Sequence, residues 1–213
     1  MKYQINEFGG ILLEIENGNI AINSGTSVAA LEKAYIINGK TPAAMIVTCE
    51  HSHRSKNAVE FCVKHHISLL CTKYCAEVLK LEAEKNSWYD LRNDKTRQKY
   101  GLKASLLPVK YDSIDPFVLK ISDGDMQYVF VFDGKITPEN AEAIFSCDKI
   151  ILQMEQQFPM QSCGMTISTP LSFRIVFQKS MNSGFHSGLC AVAGETMIFR
   201  SGLKFFTTDE KFL

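Results

Sequence analysis

Residues 44–54 read Ala44-Met45-Ile46-Val47-Thr48-Cys49-Glu50-His51-Ser52-His53-Arg54. The first five are uncharged and partly β-branched, the composition of a short strand buried in a layered sheet. The rest is polar and irregular, and it predicts a loop leaving the end of that strand. Cys49, His51 and His53 stand at every second position. In an extended loop such residues project to one side. Thiolate and imidazole are good ligands for zinc and its first-row neighbours. Spacing alone leaves two readings open: a metal site, or a surface loop with two hydrogen-bonded histidines.

Working outward, residues 10–22 read as a hairpin, with Asn17-Gly18-Asn19 as its turn. Residues 27–38 have helical spacing of Val28, Leu31, Tyr35 and Ile36, with Gly39 as the stop. After the polar loop come a helix over 56–64, a buried strand at 67–71 and a helix over 73–86. This alternation is the grammar of an α/β domain. Cys71 and Cys75 lack the redox spacing of a CxxC pair and read as packing. Adjacent His65 and His66 read as local structure near a helix end.

Farther on, residues 117–121 and 128–132 predict two strands around the turn Ser122-Asp123-Gly124-Asp125. Thr137-Pro138-Glu139 is a helix start, with Thr as cap and Pro at the first helical position. Residues 149–152 predict one more buried strand. From 153 onward the texture changes: the segment holds eight of the fourteen phenylalanines and few charges. Residues 171–178 alternate with a period of two. Residues 188–199 and 203–206 also look extended.

The whole chain has 213 residues, 46% of them hydrophobic and 22% charged, which excludes a wholly disordered protein. Lys+Arg and Asp+Glu both number 23, so no strongly basic or acidic coat exists at whole-chain level. Residues 91–110 are a local exception, with Arg92, Lys95, Arg97, Lys99, Lys103 and Lys110 against Asp94 alone. They read either as a solvated connection or as a basic lip for phosphates or nucleic acid. No apolar run is long enough for a membrane span, and the start lacks the pattern of a secretory signal. Seven scattered cysteines then imply reduced thiols and a cytoplasmic location.

Four segments together resemble a known family. Thr48-Cys49-Glu50-His51-Ser52-His53-Arg54 is similar to the metal loop of the metallo-β-lactamase fold, whose pattern is His-x-His-x-Asp-His. Residues 109–116 resemble the later His-Asp-Ala-x-x-Pro segment, in the branch related to the small bacterial phosphodiesterase and exonuclease YycJ. Residues 132–139 resemble that branch's Thr-Asp-x-Gly-x-x-Thr-Pro segment. Residues 150–156 fall where it has an apolar strand ending Glu-x-Asn-His. Order and rough spacing agree across residues 8–157.

The resemblance implies an α/β fold, an αββα sandwich of the metallo-β-lactamase type. It would be compact, with an altered, Phe-rich C-terminal β segment. It implies a single domain over 1–213, with 1–157 like the family and 158–213 divergent. The Phe-rich end is expected to complete the second sheet or to pack on another copy of the chain. Residue by residue, the first two loop histidines become Cys49 and His51. The loop aspartate becomes His53, and the last loop histidine becomes Arg54. A later ligand becomes Tyr111, the bridging aspartate is kept as Asp133, and the final histidine falls near Gln156. The structural Asp-x-Gly upstream becomes Asn23-Ser24-Gly25. His186 is either a late ligand or a turn residue.

Charge shapes the expectation. A guanidinium cannot lose its proton to admit a cation, so Arg54 argues against a two-ion centre. The first expectation is a non-catalytic binding or assembly protein with no metal, in which Arg54 and Tyr111 face a carboxylate or phosphate ligand. The alternative is one zinc or similar ion on Cys49, His51 and Asp133, with Asp133 and His53 as catalytic groups of a phosphodiesterase-type hydrolase. A nucleic-acid-binding remnant using residues 92–110 is the third.

Overall fold

The computed structural model describes residues 1–82, 87–132, 134 and 138–156, and the strands 171–178, 189–192 and 195–198. The chain divides into two compact units, Met1–Phe117 and Val118–Leu213.

The first unit is built on a six-stranded sheet in the order β1-β2-β3-β4-β5-β6, where β1 is Lys2–Ile5, β2 Ile11–Ile15, β3 Gly18–Ile22, β4 Ala44–Ile46, β5 Ser68–Cys71 and β6 Trp88–Asp90. The first three pair antiparallel and the last four run parallel. The β2–β3 hairpin is the expected one, while β1 is an added edge strand whose half-exposed residues give little apolar signal. Ile11, Leu13, Ile20, Ile22, Ala44, Ile46 and Leu70 are fully buried, as are Ala21, Met45 and Leu69 between them. Both faces of the central strands are therefore covered, which is why these strands read as continuous apolar runs rather than alternations.

One face packs under helices. α1 (Val28–Tyr35) starts where Ser27 Oγ accepts from Ala30 N at 3.3 Å. It ends at Tyr35, whose buried hydroxyl donates to the Ile22 and Asn23 carbonyls at 2.8 and 2.6 Å. A single turn, α2 (Ser52–Ser55), precedes α3 (Ala58–His65). α4 (Lys73–Val78) starts where Thr72 Oγ1 accepts from Cys75 N at 3.3 Å. Leu31, Tyr35, Phe61, Cys62, Cys75 and Ala76 close over Met45, Val47, Leu69 and Cys71. Cys71 and Cys75 are thus core residues, as their spacing suggested. Burial pushes the Cys62 thiol up to about 12.

α4 is shorter than the helix expected over 73–86. Its periodic apolar residues continue, but Lys80 adopts a left-handed φ of 54°, which a right-handed helix does not admit. Leu79 and Leu81 still pack on the core without being helical. Residues 91–110 contain regular structure that their charge concealed: α5 (Asp94–Lys99), capped by Asn93 Oδ1, and β7 (Ala104–Pro108).

In the second unit, β8 (Phe117–Asp123) and β9 (Met126–Val131) form the expected hairpin around Gly124. α6 (Pro138–Phe145) leads to β10 (Lys149–Gln156), parallel to β9, and β11 (Leu171–Gln178) pairs antiparallel to β10. β12 (Leu189–Val192) and β13 (Glu195–Ile198) pair with each other. The alternating segment at 171–178 thus joins a sheet, and within 188–199 the residues 189–192 and 195–198 are strands, while 203–206 lies outside the described residues. No described helix is long and apolar enough to cross a membrane.

Candidate metal centre

The loop after β4 is held at its start by the Asn23 side chain. Asn23 Oδ1 accepts from Thr48 N at 3.0 Å and from Thr48 Oγ1 at 2.9 Å. The segment Asn23-Ser24-Gly25 then grips the loop farther on: Ser24 N donates to the Arg54 carbonyl at 2.8 Å, and Gly25 N to the Lys56 carbonyl at 3.2 Å. Gly25 has φ +91°, and a Cβ there would lie 2.0 Å from the His53 carbonyl oxygen, so the close approach requires glycine. Ser55 Oγ donates to the Glu50 and His51 carbonyls at 2.8 and 2.9 Å, closing α2.

Within this frame Cys49, His51 and His53 converge, with their ligand atoms within 4.8 Å of one another. Cys49 Sγ is 3.8 Å from His51 Nδ1. The His51 and His53 rings stack at 5.6 Å with an interplanar angle of 22°. Cys49 is buried, 5% exposed, while the histidines are partly exposed. The loop is not extended, as the spacing reading assumed; the donors meet because the chain enters a helical turn after His51.

The donor set fits one thiophilic divalent ion. Zn–S of 2.3 Å and Zn–N of 2.0–2.1 Å put tetrahedral S and N ligands about 3.6 Å apart and two N ligands about 3.3 Å apart. Closing the present cluster to those separations needs side-chain adjustments of ~1 Å.

The other expected site residues fare differently. Tyr111 meets His51 edge-on, with ring centroids 5.3 Å apart and planes at 86°. Arg54 is 1% exposed, and its charge is felt at the Tyr35 hydroxyl, where it opposes the strong upward push of burial. Asp133 and His186 lie outside the described residues, as does the side chain of Gln156. Of the six cations in 91–110, Arg92 forks onto Asp115 through Nε and Nη2 at 3.0 and 2.7 Å. Arg97 binds Asp94 and the Leu91 carbonyl. Lys99 lies 4.1 Å from the Tyr89 ring centroid. Half of the basic stretch is therefore engaged within the first unit.

Sequence reasoning missed Glu50. Its carboxylate accepts from Ser113 Oγ at 2.7 Å and from Ile114 N at 3.0 Å, and it lies 4.0 Å from His51 Nε2. The only local signal was an acid placed between two candidate ligands.

No family model matches the chain, and no curated protein matches its sequence. Among solved structures, it is similar to the metallo-β-lactamase fold protein YhfI from Bacillus subtilis, at 14% identity and a TM-score of 0.48, over 62% of this chain and 57% of that one. It is similar to Igni18, a metallo hydrolase from Ignicoccus hospitalis, at 18% identity and a TM-score of 0.43, over 64% and 60%. A third, TTHA1623 in a di-iron-bound form, gives 11% identity and a TM-score of 0.47, over 70% and 87%. The chain spans less than two thirds of the length of the first two. The likeness concerns fold: an α/β chain similar to metallo-β-lactamase-fold proteins. It does not single out the YycJ-like branch.

Proposed function

We propose that this chain is a divergent metallo-β-lactamase-fold protein that binds one thiophilic divalent ion on Cys49, His51 and His53, and acts as a binding protein rather than as a two-ion hydrolase. The observation that carries this reading is the convergence of one cysteine sulfur and two imidazole groups, their ligand atoms within 4.8 Å of one another. Of the expectations drawn from the sequence, it takes up the one-ion alternative, with His53 in place of Asp133, over the metal-free one. Arg54 supports the single-ion reading. It stands where the resemblance puts the family's last loop histidine, so a ligand position of the second ion is taken by a permanent cation.

A bound ion would supply Lewis acidity and a fixed positive charge. The residues of the chain do the rest. Cys49 would offer it a buried sulfur donor, and His51 and His53 would offer nitrogen donors from the partly exposed side. Tyr111 walls the His51 ring. An anionic ligand such as a carboxylate or phosphate is the class such a positive site accepts.

Elemental analysis and cobalt substitution test this reading. About one equivalent of zinc or cobalt per chain is expected, with a thiolate-to-cobalt charge-transfer band that disappears in Cys49→Ala. Two tightly held equivalents, together with turnover of bis(p-nitrophenyl) phosphate, would overturn it. One equivalent with turnover lost in Asp133→Asn would instead establish the one-ion phosphodiesterase.

A further inference from the structure

The proposed ion site leaves Glu50 without a role, yet this carboxylate is bonded to a distant part of the chain. It sits between two donors in sequence, its side chain is 15% exposed, and both of its oxygens are used. Oε2 accepts from Ser113 Oγ at 2.7 Å, and Oε1 accepts from Ile114 N at 3.0 Å. These partners lie more than sixty positions away in sequence. Burying a carboxylate to this extent is costly unless its oxygens are bonded, so the two bonds fix where residues 113–114 rest.

Oε1 also lies 4.0 Å from His51 Nε2. The other ring nitrogen, Nδ1, faces Cys49 Sγ at 3.8 Å. The two nitrogens of His51 are therefore divided between donor cluster and carboxylate. A neutral imidazole carries one N–H. If Nδ1 donates its lone pair to an ion, the proton must be on Nε2, on the side of Glu50. At 4.0 Å the pair is longer than a hydrogen bond and needs ~1 Å of approach to become one. Carboxylates behind ligating histidines fix both tautomer and ring orientation.

The segment that Glu50 holds touches the site again. Tyr111 lies edge-on to His51, and Asp115 takes the Arg92 fork. Residues 111–115 are thus pinned at three places, and two of the pins are Glu50 and His51 themselves.

We infer that Glu50 is a positioning residue that orients His51 for the ion and couples ion binding to the placement of residues 111–115, which would close one side of the ligand site. This rests on the single-ion reading above.

The test uses the full chain and cobalt(II), with affinity read from the charge-transfer band and amide exchange of residues 109–116 read with and without the ion. The wild type is expected to bind cobalt and to slow exchange in that segment when loaded. Glu50→Gln, which keeps the shape but removes the charge, should weaken cobalt binding about 10–100-fold and lose the ion-dependent slowing. Ser113→Ala, which spares the carboxylate, should keep cobalt affinity within a few-fold while losing part of the slowing. Folding of each variant is checked by circular dichroism, and Glu50→Asp provides a charge-retaining comparison if Glu50→Gln does not fold. Wild-type affinity and slowing in the Gln variant would overturn the inference while leaving the ion site intact. A wild type that binds no cobalt would sink the ion site and, with it, the coupling.

Discussion

At the scale of single residues, the site depends on positions that carry no chemistry. Gly25 lets the chain pass close to the His53 carbonyl at a φ no other residue adopts easily. Gly25→Ala should cost about 1–3 kcal/mol, read as a lowered midpoint of urea unfolding, and should weaken cobalt binding because α2 must shift. Type and spacing left the convergence of Cys49, His51 and His53 open, while the family resemblance set Asp133 among the ion ligands and made His53 a catalytic group; the structure brings the first three together, and Asp133 lies outside the described residues. Glu50 was not legible, because its partners Ser113 and Ile114 are brought to it only by the fold. Arg54 was legible as a charge but not as a buried group; burial depends on what packs around it.

At the scale of elements, the α1–α3 contact is set by one carboxylate with two bases. Glu32 on α1 accepts from Lys64 and His65 of α3, both at 2.7 Å. The Lys64 hydrogen bond, followed by the His65 one, holds the Glu32 carboxyl below its ordinary range. A carboxylate depressed in the folded state stabilises above its unfolded pKa, about 4.3, and that contribution is lost as pH falls through the folded value. Glu32→Gln should therefore flatten the stability-against-pH curve on its acid side, below about pH 5, with little change of slope near neutrality. A urea series from pH 3 to 7 checks it. α3 also ends on a non-glycine residue in the left-handed region, His66 at φ 55°. Glycine is the favoured residue there, so His66→Gly should raise stability by about 0.5–1 kcal/mol, measured by the same unfolding assay. The helices over 28–35 and 58–65 and the strands at 44–46 and 68–71 were readable from apolar spacing. α5 was hidden because six residues with one buried side chain, Thr96, carry almost no periodic apolar signal.

At the scale of the whole molecule, the cysteines whose burial is described are interior. Cys49, Cys62, Cys71, Cys75 and Cys147 are buried and form no disulfide among the described residues. Burial raises the thiols of Cys62 and Cys147, and a hydrogen bond with Cys71, followed by burial, raises that of Cys75. Thiols with raised pKa and no exposure react slowly. With Cys163 and Cys190 changed to serine, the native protein at pH 8 should leave Cys62, Cys75 and Cys147 unlabelled by a thiol reagent over minutes. All five should react in denaturant; rapid native labelling of Cys62 would contradict the core described here. The α/β alternation in the sequence conveyed this layered plan because covered strands have no polar face to show.

The loop that bears the donors is fastened almost wholly through its main chain. Asn23, Ser24, Gly25 and Ser55 bond to the backbone of Thr48, Glu50, His51, Arg54 and Lys56. None of these bonds uses the side chains at 49, 51 or 53. These bonds ask nothing of the side chains at those three positions, so the main-chain cradle and the choice of donor are specified by different residues. On the one-ion reading, a substitution at a donor position would then alter which ion is preferred before it alters the cradle.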